Sequence, residues 1–568
     1  MQSKTRPAQS FLHGAAILTA GAMLVKILGA IYKIPLTNMI GEQGMGYFNT
    51  AYQLYLPIYT VASAGFPAAI ARLVAERTAR NDFAGARLVY RRSLPFFWIS
   101  GAVGMALMIA GAPAYAAFVG SPDAAWSIRV LAPTVLVCCV MSALRGYYSG
   151  IRNMTPVALS QVLEAAGRLF IGLSAAYGAL TRCRAEYLRS GTVLGQTVSS
   201  EAEALRRAIP VASAGAILGV TVGALLGWIA LLCCDRSAPP NGPSAAGAAP
   251  TMRRIAALAL PVCAGALVLN IGAMLDAVLL QRRLAAIPES VLRALFPGRF
   301  NGQDGAISTF LYGSYTMAQN LAVLVPTLAQ SIAASALPTV AAAAAGGRPG
   351  ALRAAVESVL RLTALAAFPA GFGLCALAGP ILRLLYAARP NGAAIAAPPL
   401  MLLSLASIFM TFSAPVNSIL QALGRERVPV RLLGAGCAIK LAVSWFLIVL
   451  PQYNLLGAAI GTLSCYAFAS SVGLLCVRRS CPERPRILHC LLRPMAAGLL
   501  CAAAGAAAER LLHLHCGDSL ATVAAILIAA AVYVWSVLLG RVLLRSDVES
   551  LPNGKKIANF LAKHHCLR

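Results

Sequence analysis

Charged side chains stand inside stretches that are otherwise apolar enough to cross a bilayer. The run AGAMLVKILGAIYKIPL, Ala20 to Leu36, carries Lys26 and Lys33. A lysine at the centre of a membrane helix costs roughly 2.5–3.5 kcal/mol on insertion scales, so such a residue marks a function by default. Seven residues at 100° each return to within about 20° of the start, which puts both lysines on one helical face with Gly29 and Ala30 between them. Arg168 and Lys440 lie equally deep in two later apolar segments, and Asp276 in a third. Buried cations of this kind make and break no bonds. Their chemistry is neutralisation, because an anionic group cannot enter hydrocarbon uncompensated.

For several of these residues two readings stand. Lys33 is near the end of its expected helix, so it either snorkels to the interface or meets a ligand. Glu164 precedes Arg168 by four residues, a spacing that makes either a structural ion pair or a partly neutralised anion site. Lys440 has no such local acid and needs a partner from elsewhere or an anionic substrate. Asp276 is the single acid of its segment; it pairs with Lys26 or Lys33, or binds a coupling proton or sodium ion. Asn270 and Asn320 are candidate hydrogen-bonding groups for substrate, or glue between helices. Tyr52, Tyr55 and Tyr59 recur along one segment, as a sugar-facing surface or a packed aromatic stripe.

Catalytic machinery is not indicated. The chain has no paired catalytic carboxylates, nucleophile motif or Walker-type phosphate loop, so it is expected not to be an enzyme and to need no cofactor. No metal site is expected either. No CxxC spacing occurs, most cysteines lie in apolar runs as small hydrophobes, and HLHC (His513–Cys516) and HHC (His564–Cys566) read as loop residues.

The elements that must position these groups are membrane helices. Of the 568 residues 59% are hydrophobic and 12% charged, against about 25% charged in soluble domains. Apolar runs of spanning length recur throughout, giving an all-α polytopic membrane protein of about 14 transmembrane helices. Helix 1 is expected over 13–36 as a retained span, its apolar block being too long for a signal-peptide core. Helix 2 is expected over 48–74, helix 5 over 157–180, helix 7 over 255–281, helix 8 over 308–340, helix 11 over 432–450, and the last two over 494–512 and 519–543. Basic loop residues such as Arg77, Arg80, Arg87, Arg91 and Arg92, then Arg478, Arg479, Arg484 and Arg486, fall on the side of the N-terminus. Positive-inside bias therefore places both termini in the cytoplasm. The same bias, with attraction to anionic membrane lipids, accounts for the net charge of +28, and no nucleic-acid partner is implied.

The chain repeats itself. The helix 1 run matches AGALVLNIGAMLDAVLL, Ala264 to Leu280, at an offset of 244. Further on, Pro67 pairs with Pro338, Pro156 with Pro429 and Arg168 with Lys440, at offsets of 271, 273 and 272. Six helices separate the copies, so both have the same orientation. Parallel repeats of this kind are a transporter architecture with a site between the lobes near mid-membrane. The boundaries are a six-helix lobe over 1–235, a cytoplasmic linker over 236–254, a second six-helix lobe over 255–477, and two extra helices with a basic cytoplasmic tail over 478–568.

LVKILGAIYKIPLTNMIGEQGMGYFNTAY and SAGFPAAIARLVAE resemble the stage V sporulation protein B group of polysaccharide exporters, within the superfamily that includes multidrug transporters and lipid II flippases. The resemblance covers both lobes and is strongest over residues 14–90. It implies a V-shaped two-lobe fold that alternates access and moves polyprenyl-pyrophosphate-linked sugars or peptidoglycan precursor outward across the bacterial cytoplasmic membrane. Its partners would be that lipid-linked glycan, membrane lipids, and enzymes of cell-wall or polysaccharide synthesis. The lipid II flippases carry basic residues on helix 2, whereas YLPIYTVASAG here has none, so the resemblance implies a lipid-linked glycan without fixing lipid II as that glycan. The prolines of helices 2 and 8, Pro57 with Pro67 and Pro326 with Pro338, are candidate gating kinks. A drug/cation antiporter is the alternative transporter, disfavoured by the excess of Lys/Arg over intramembrane acids. A membrane glycosyl- or acyltransferase is the third reading, and the long outside loops offer it little acidic or histidine chemistry.

Overall fold

A computed structural model describes residues 11–63, 65–235, 252–300, 307–346, 349–515, 517–540 and 542. Contacts divide the chain into two compact units, one from residues 1–285 and 300–313, the other from 286–299 and 314–568. The first contains α1 (Phe11–Ser63), α2 (Phe66–Thr78), α3 (Phe83–Val119), α4 (Ala124–Gly150) and α5 (Thr155–Ser190). A hairpin of β1 (Thr192–Val193) and β2 (Gln196–Thr197) follows, then α6 (Glu201–Asp235) and α7 (Met252–Ala285). Next come the short α8 (Glu289–Leu295) and α9 (Ile307–Ala322), which contributes residues to both units. The second unit continues with α10 (Leu324–Ala345), α11 (Pro349–Ala376), α12 (Ala378–Leu385), α13 (Pro390–Ala422), α14 (Arg427–Leu447), α15 (Asn454–Ser480), α16 (Ile487–His513) and α17 (Asp518–Leu539).

The protein is a helical membrane protein, with the hairpin its one sheet among the described residues. Among the described residues eleven helices are long and apolar enough to span, and one of these, Ala20–Thr60, holds the first expected helix and much of the second. With α7 and the α9–α10 pair added, the expectation of about fourteen is met in number. Most of the linker and the HHC motif of the tail lie outside the described residues, as does Cys516 of HLHC.

Three of the boundaries that differ from the sequence reading have a local reason. Helix 1 does not end at 36; α1 runs on to Gly41, whose φ of 71° and ψ of −173° interrupt the helix before it resumes. That conformation is essentially confined to glycine. Helix 2 ends at Ser63, and α2 starts again with Pro67 in its first turn, where a missing N–H costs nothing. Helix 8 divides at Val323, three residues before Pro326, whose ring crowds the preceding turn and donates no hydrogen bond to it.

Within unit one, α4 is the most buried span, at 72% of its apolar window, and within unit two it is α13, at 56%. The repeat offset of 272 carries one onto the other. Likewise α5 lies along α6, and α14 along α15. The α4–α6 seam is tied by hydroxyl pairs, Thr134 with Thr221 at 2.7 Å and Ser127 with Ser213 at 3.1 Å. The α5–α6 seam depends on glycine. Gly215, Gly219, Gly223 and Gly227 recur every four residues on α6, and a Cβ added at Gly219 would collide with the backbone of Gly172 on α5. Only hydrogens separate the two backbones there, the small-residue packing that lets membrane helices approach closely. The first helix of the second repeat copy, α7, packs on α1, α2 and α3.

Candidate functional site

α1, α4 and α5 bring a set of charges together inside unit one. Glu164 and Arg168 lie one turn apart on α5, and Arg168 Nη2 approaches Glu164 Oε1 at 3.3 Å. The other carboxylate oxygen is taken by Arg145 of α4, with Nη2 at 3.1 Å from Oε2. Arg145 Nε also donates to Ser160 Oγ at 3.1 Å, and that hydroxyl donates to the carbonyl of Val157. One carboxylate therefore serves two guanidinium groups.

Lys33 of α1 adds a third cation within electrostatic reach of Arg168. The continuation of α1 to Gly41 places it eight residues, about 12 Å, before the helix break rather than at a helix end. Two arginines against one glutamate leave an excess of one positive charge inside a spanning segment. The second half of α1 supplies tyrosines to the same place: Tyr52 and Tyr55, with Tyr32, lie near Arg168. The aromatic residues also pack on one another, Tyr55 and Tyr59 stacked at 5.4 Å and Phe48 against Tyr52 at 4.9 Å. Tyr32 is fully buried, and its hydroxyl donates to the carbonyl of Ala216 on α6, fixing α1 beside the α5–α6 pair. Among the described residues, the buried Arg168 Nε–H and the buried Tyr52 hydroxyl have no hydrogen-bond partner. A buried polar group left without a partner costs roughly 1–3 kcal/mol, so the cluster keeps donors in reserve.

The remaining candidates are distributed as follows. Lys26 is exposed on α1, and next to it on the same face Gly29 has nothing within 4 Å of where a Cβ would stand. Asp276 is buried on α7. Asn270, also on α7, donates to Thr60 Oγ1 of α1 at 2.9 Å and to its own helix at the carbonyl of Ala266. One of its amide hydrogens thus ties α7 to α1. In unit two, Lys440 on α14 and Asn320 on α9 are half-buried. Pro57 lies inside α1, Pro326 in the first turn of α10, and Pro338 within α10. Among the described residues no group of His, Cys, Asp and Glu is arranged to hold a metal ion, and His513 instead meets Asp518 at 3.0 Å.

The sequence reading missed Arg145. It is the single charged residue between Arg129 and Arg152, and that isolation within α4 was the available signal. The four-residue glycine ladder of α6 was equally legible and equally overlooked.

Many long apolar helices, with a cluster of charges held inside them, define a multi-pass membrane fold. Solved structures agree. A multidrug resistance MATE family transporter of the MOP superfamily, in an inward-facing conformation, superposes with a TM-score of 0.62 at 14% identity, covering 84% of this chain and 98% of that one. Lipid II flippase MurJ in an inward closed conformation gives 0.61 at 13% identity, covering 92% and 98%. The chain matches the family described as Polysaccharide biosynthesis protein over residues 11–343, and it belongs to that family. A second family of the same description matches residues 306–393. Among individual proteins of Bacillus subtilis (strain 168), it is similar to stage V sporulation protein B, at 22% identity over 96% of this chain and 98% of that one. It is also similar to lipid II flippase MurJ, at 24% identity over 84% of each.

Proposed function

We propose that this chain is a flippase of the bacterial cytoplasmic membrane, both termini cytoplasmic, that exports polyprenyl-pyrophosphate-linked sugars or peptidoglycan precursor by alternating access. One observation carries the reading: Arg145 and Arg168 share a single carboxylate inside a spanning segment, with Lys33 near Arg168, and the Arg168 Nε–H and Tyr52 hydroxyl beside them are unsatisfied. Such a cluster is built for an anion. A pyrophosphate entering it takes up the idle donors and cancels the excess charge, and Glu164 competes for the same guanidinium groups so that release follows.

In this scheme Lys26 extends the cationic face along α1, and Lys440 is the second repeat's counterpart of Arg168. Asp276 balances these cations or carries the coupling ion, and Asn320 adds a hydrogen bond to the sugar. The repeat copies over 14–233 and 262–477 move against one another, with the helix interruptions near Pro67 and Pro326, and Pro57 and Pro338 within their helices, absorbing the bending. Asn270 serves substrate only if it leaves Thr60. Enzymes that build or polymerise the glycan are the natural partners. The similarity to a multidrug transporter keeps the antiporter reading in view, but a net-positive cluster repels the cationic compounds it requires.

The test is translocation in proteoliposomes of a fluorescent polyprenyl-pyrophosphate-linked sugar, followed by quenching at the outer leaflet. Flipping by the native protein that is lost in Arg168→Gln is expected. Absence of flipping together with efflux of a cationic dye would replace the flippase by the antiporter.

A further inference from the structure

A cavity lined by both apolar and polar groups lies at the end of unit one where α1 breaks at Gly41. Its volume is about 700 Å³, within the range of small-molecule sites. Four parts of unit one build it. Gln43 follows the Gly41 break of α1, Asp123 and Trp126 come from the start of α4, Gln196 from the β-hairpin, and Arg206 and Arg207 from the first turns of α6. The hairpin turns tightly through Leu194 and Gly195, at φ of 55° and 76°, the primed geometry of two-residue loops.

The hydrogen bonds inside the cavity are incomplete in a specific way. Gln43 is 4% exposed. Its Nε2 donates to the Tyr47 hydroxyl at 2.7 Å, which in turn donates to Asp123 Oδ2 at 3.1 Å. This leaves Gln43 Oε1 buried and without a donor among the described residues. Arg207 is engaged by Glu203 at 2.9 Å and by Gln196. Arg206 makes no ion pair among the described residues and lies within electrostatic reach of Tyr47. Trp126 is 59% exposed. The cavity therefore offers an idle acceptor, an idle donor, a carboxylate and an indole.

We propose that this cavity is a binding site for a neutral saccharide. A hydroxyl both donates and accepts, so a sugar satisfies Gln43 Oε1 and Arg206 together. An anion would leave Gln43 without a donor and face Asp123, and a cation would face Arg206. The indole of Trp126 presents an apolar body to the C–H face of a pyranose ring, while the polar groups set its orientation. On the orientation proposed above, this end of the unit opens outward, where the sugar of an exported lipid-linked glycan leaves. The chemistry of the site is independent of that reading; only its place in export rests on it.

The experiment is a fluorescence titration of purified full-length protein with maltotriose, chitotriose and mannotriose, with inorganic pyrophosphate as the anion control. A saturable change from at least one trisaccharide is expected, absent in Trp126→Leu and absent with pyrophosphate in an Arg168→Gln background. Gln43→Leu should weaken binding at least about tenfold, the worth of one well-made hydrogen bond. Arg206→Gln, at a half-exposed position without an ion pair among the described residues, should do the same, with folding checked by its unfolding temperature. No saturable response to any of the three sugars overturns the site, as does a response undiminished in Arg206→Gln. Binding in detergent needs no transport, so its failure is separate from failure of the flippase reading.

Discussion

Glu164→Gln isolates what the shared carboxylate does. The two contacts, at 3.1 and 3.3 Å, are each worth about 5 kcal/mol by Coulomb's law at an effective dielectric of 20. Desolvation offsets much of that attraction, but removing the acid leaves two cations uncompensated; breaking a fully buried arrangement costs roughly 3–5 kcal/mol, and this partly buried one less. The glutamine is isosteric, so packing is preserved and the loss is one of charge. The assay follows the additional labelling by a thiol-reactive dye, on heating, of the buried cysteines, Cys138 and Cys139 among them. Glu164→Gln should unfold at distinctly lower temperature than the native protein. Adding Arg145→Gln removes one of the two stranded cations and should recover a large part of the difference, whereas two unrelated defects would add. An unshifted single variant, or a double variant no better than the single, would refute the idea that the carboxylate holds the arginines in place.

Other expectations concern the opening lysines and the backbone. Lys26→Ala should leave the protein inserted at normal abundance yet unable to support export in a depleted strain, with Lys26→Arg retaining some activity. Full complementation by Lys26→Ala would remove that lysine from the substrate path. Gly219→Val should collapse the α5–α6 seam, because its Cβ meets the Gly172 backbone, and immunoblots of membranes should show little folded protein; normal abundance would disprove the close approach. Gly41→Ala should cost about 1–3 kcal/mol through its backbone conformation alone, read as a lower unfolding temperature, and an unchanged value would argue against the break in α1.

The class of fold was legible because hydropathy has a long period: a span of about 20 apolar residues survives any local ambiguity. The Glu164–Arg168 pair was legible because a four-residue spacing fixes neighbours on a helix. The break at Gly41 was not, since glycine inside an apolar stretch of membrane helix is ordinary and only a left-handed φ makes it a joint. Arg145 joins Glu164 from another helix, a contact no local pattern encodes. The saccharide cavity draws on residues 43, 123, 126, 196, 206 and 207, which come together only when α1, α4 and α6 have packed. Sequence spacing therefore revealed what lies on one helix and was silent about what converges from several.

The glycine seam has a consequence for how the chain is made. α5 and α6 are consecutive and joined through a short hairpin, so their close approach needs no distant segment to have formed. Such local helix pairs assemble early, before partners from later sequence are synthesised. Glu164 and Arg168 arrive on the same helix, so the arginine reaches the bilayer with its counter-charge already one turn away. Arg145, synthesised earlier on α4, must wait for that glutamate to emerge. The nascent chain thus passes through an interval in which α4 holds an arginine without its acid, and insertion of α4 should become markedly more complete once translation has carried α5 into the membrane. Glycosylation-site mapping of chains arrested after residues 154 and 235 reads that interval directly; equal insertion of α4 in both would show that Arg145 needs no help.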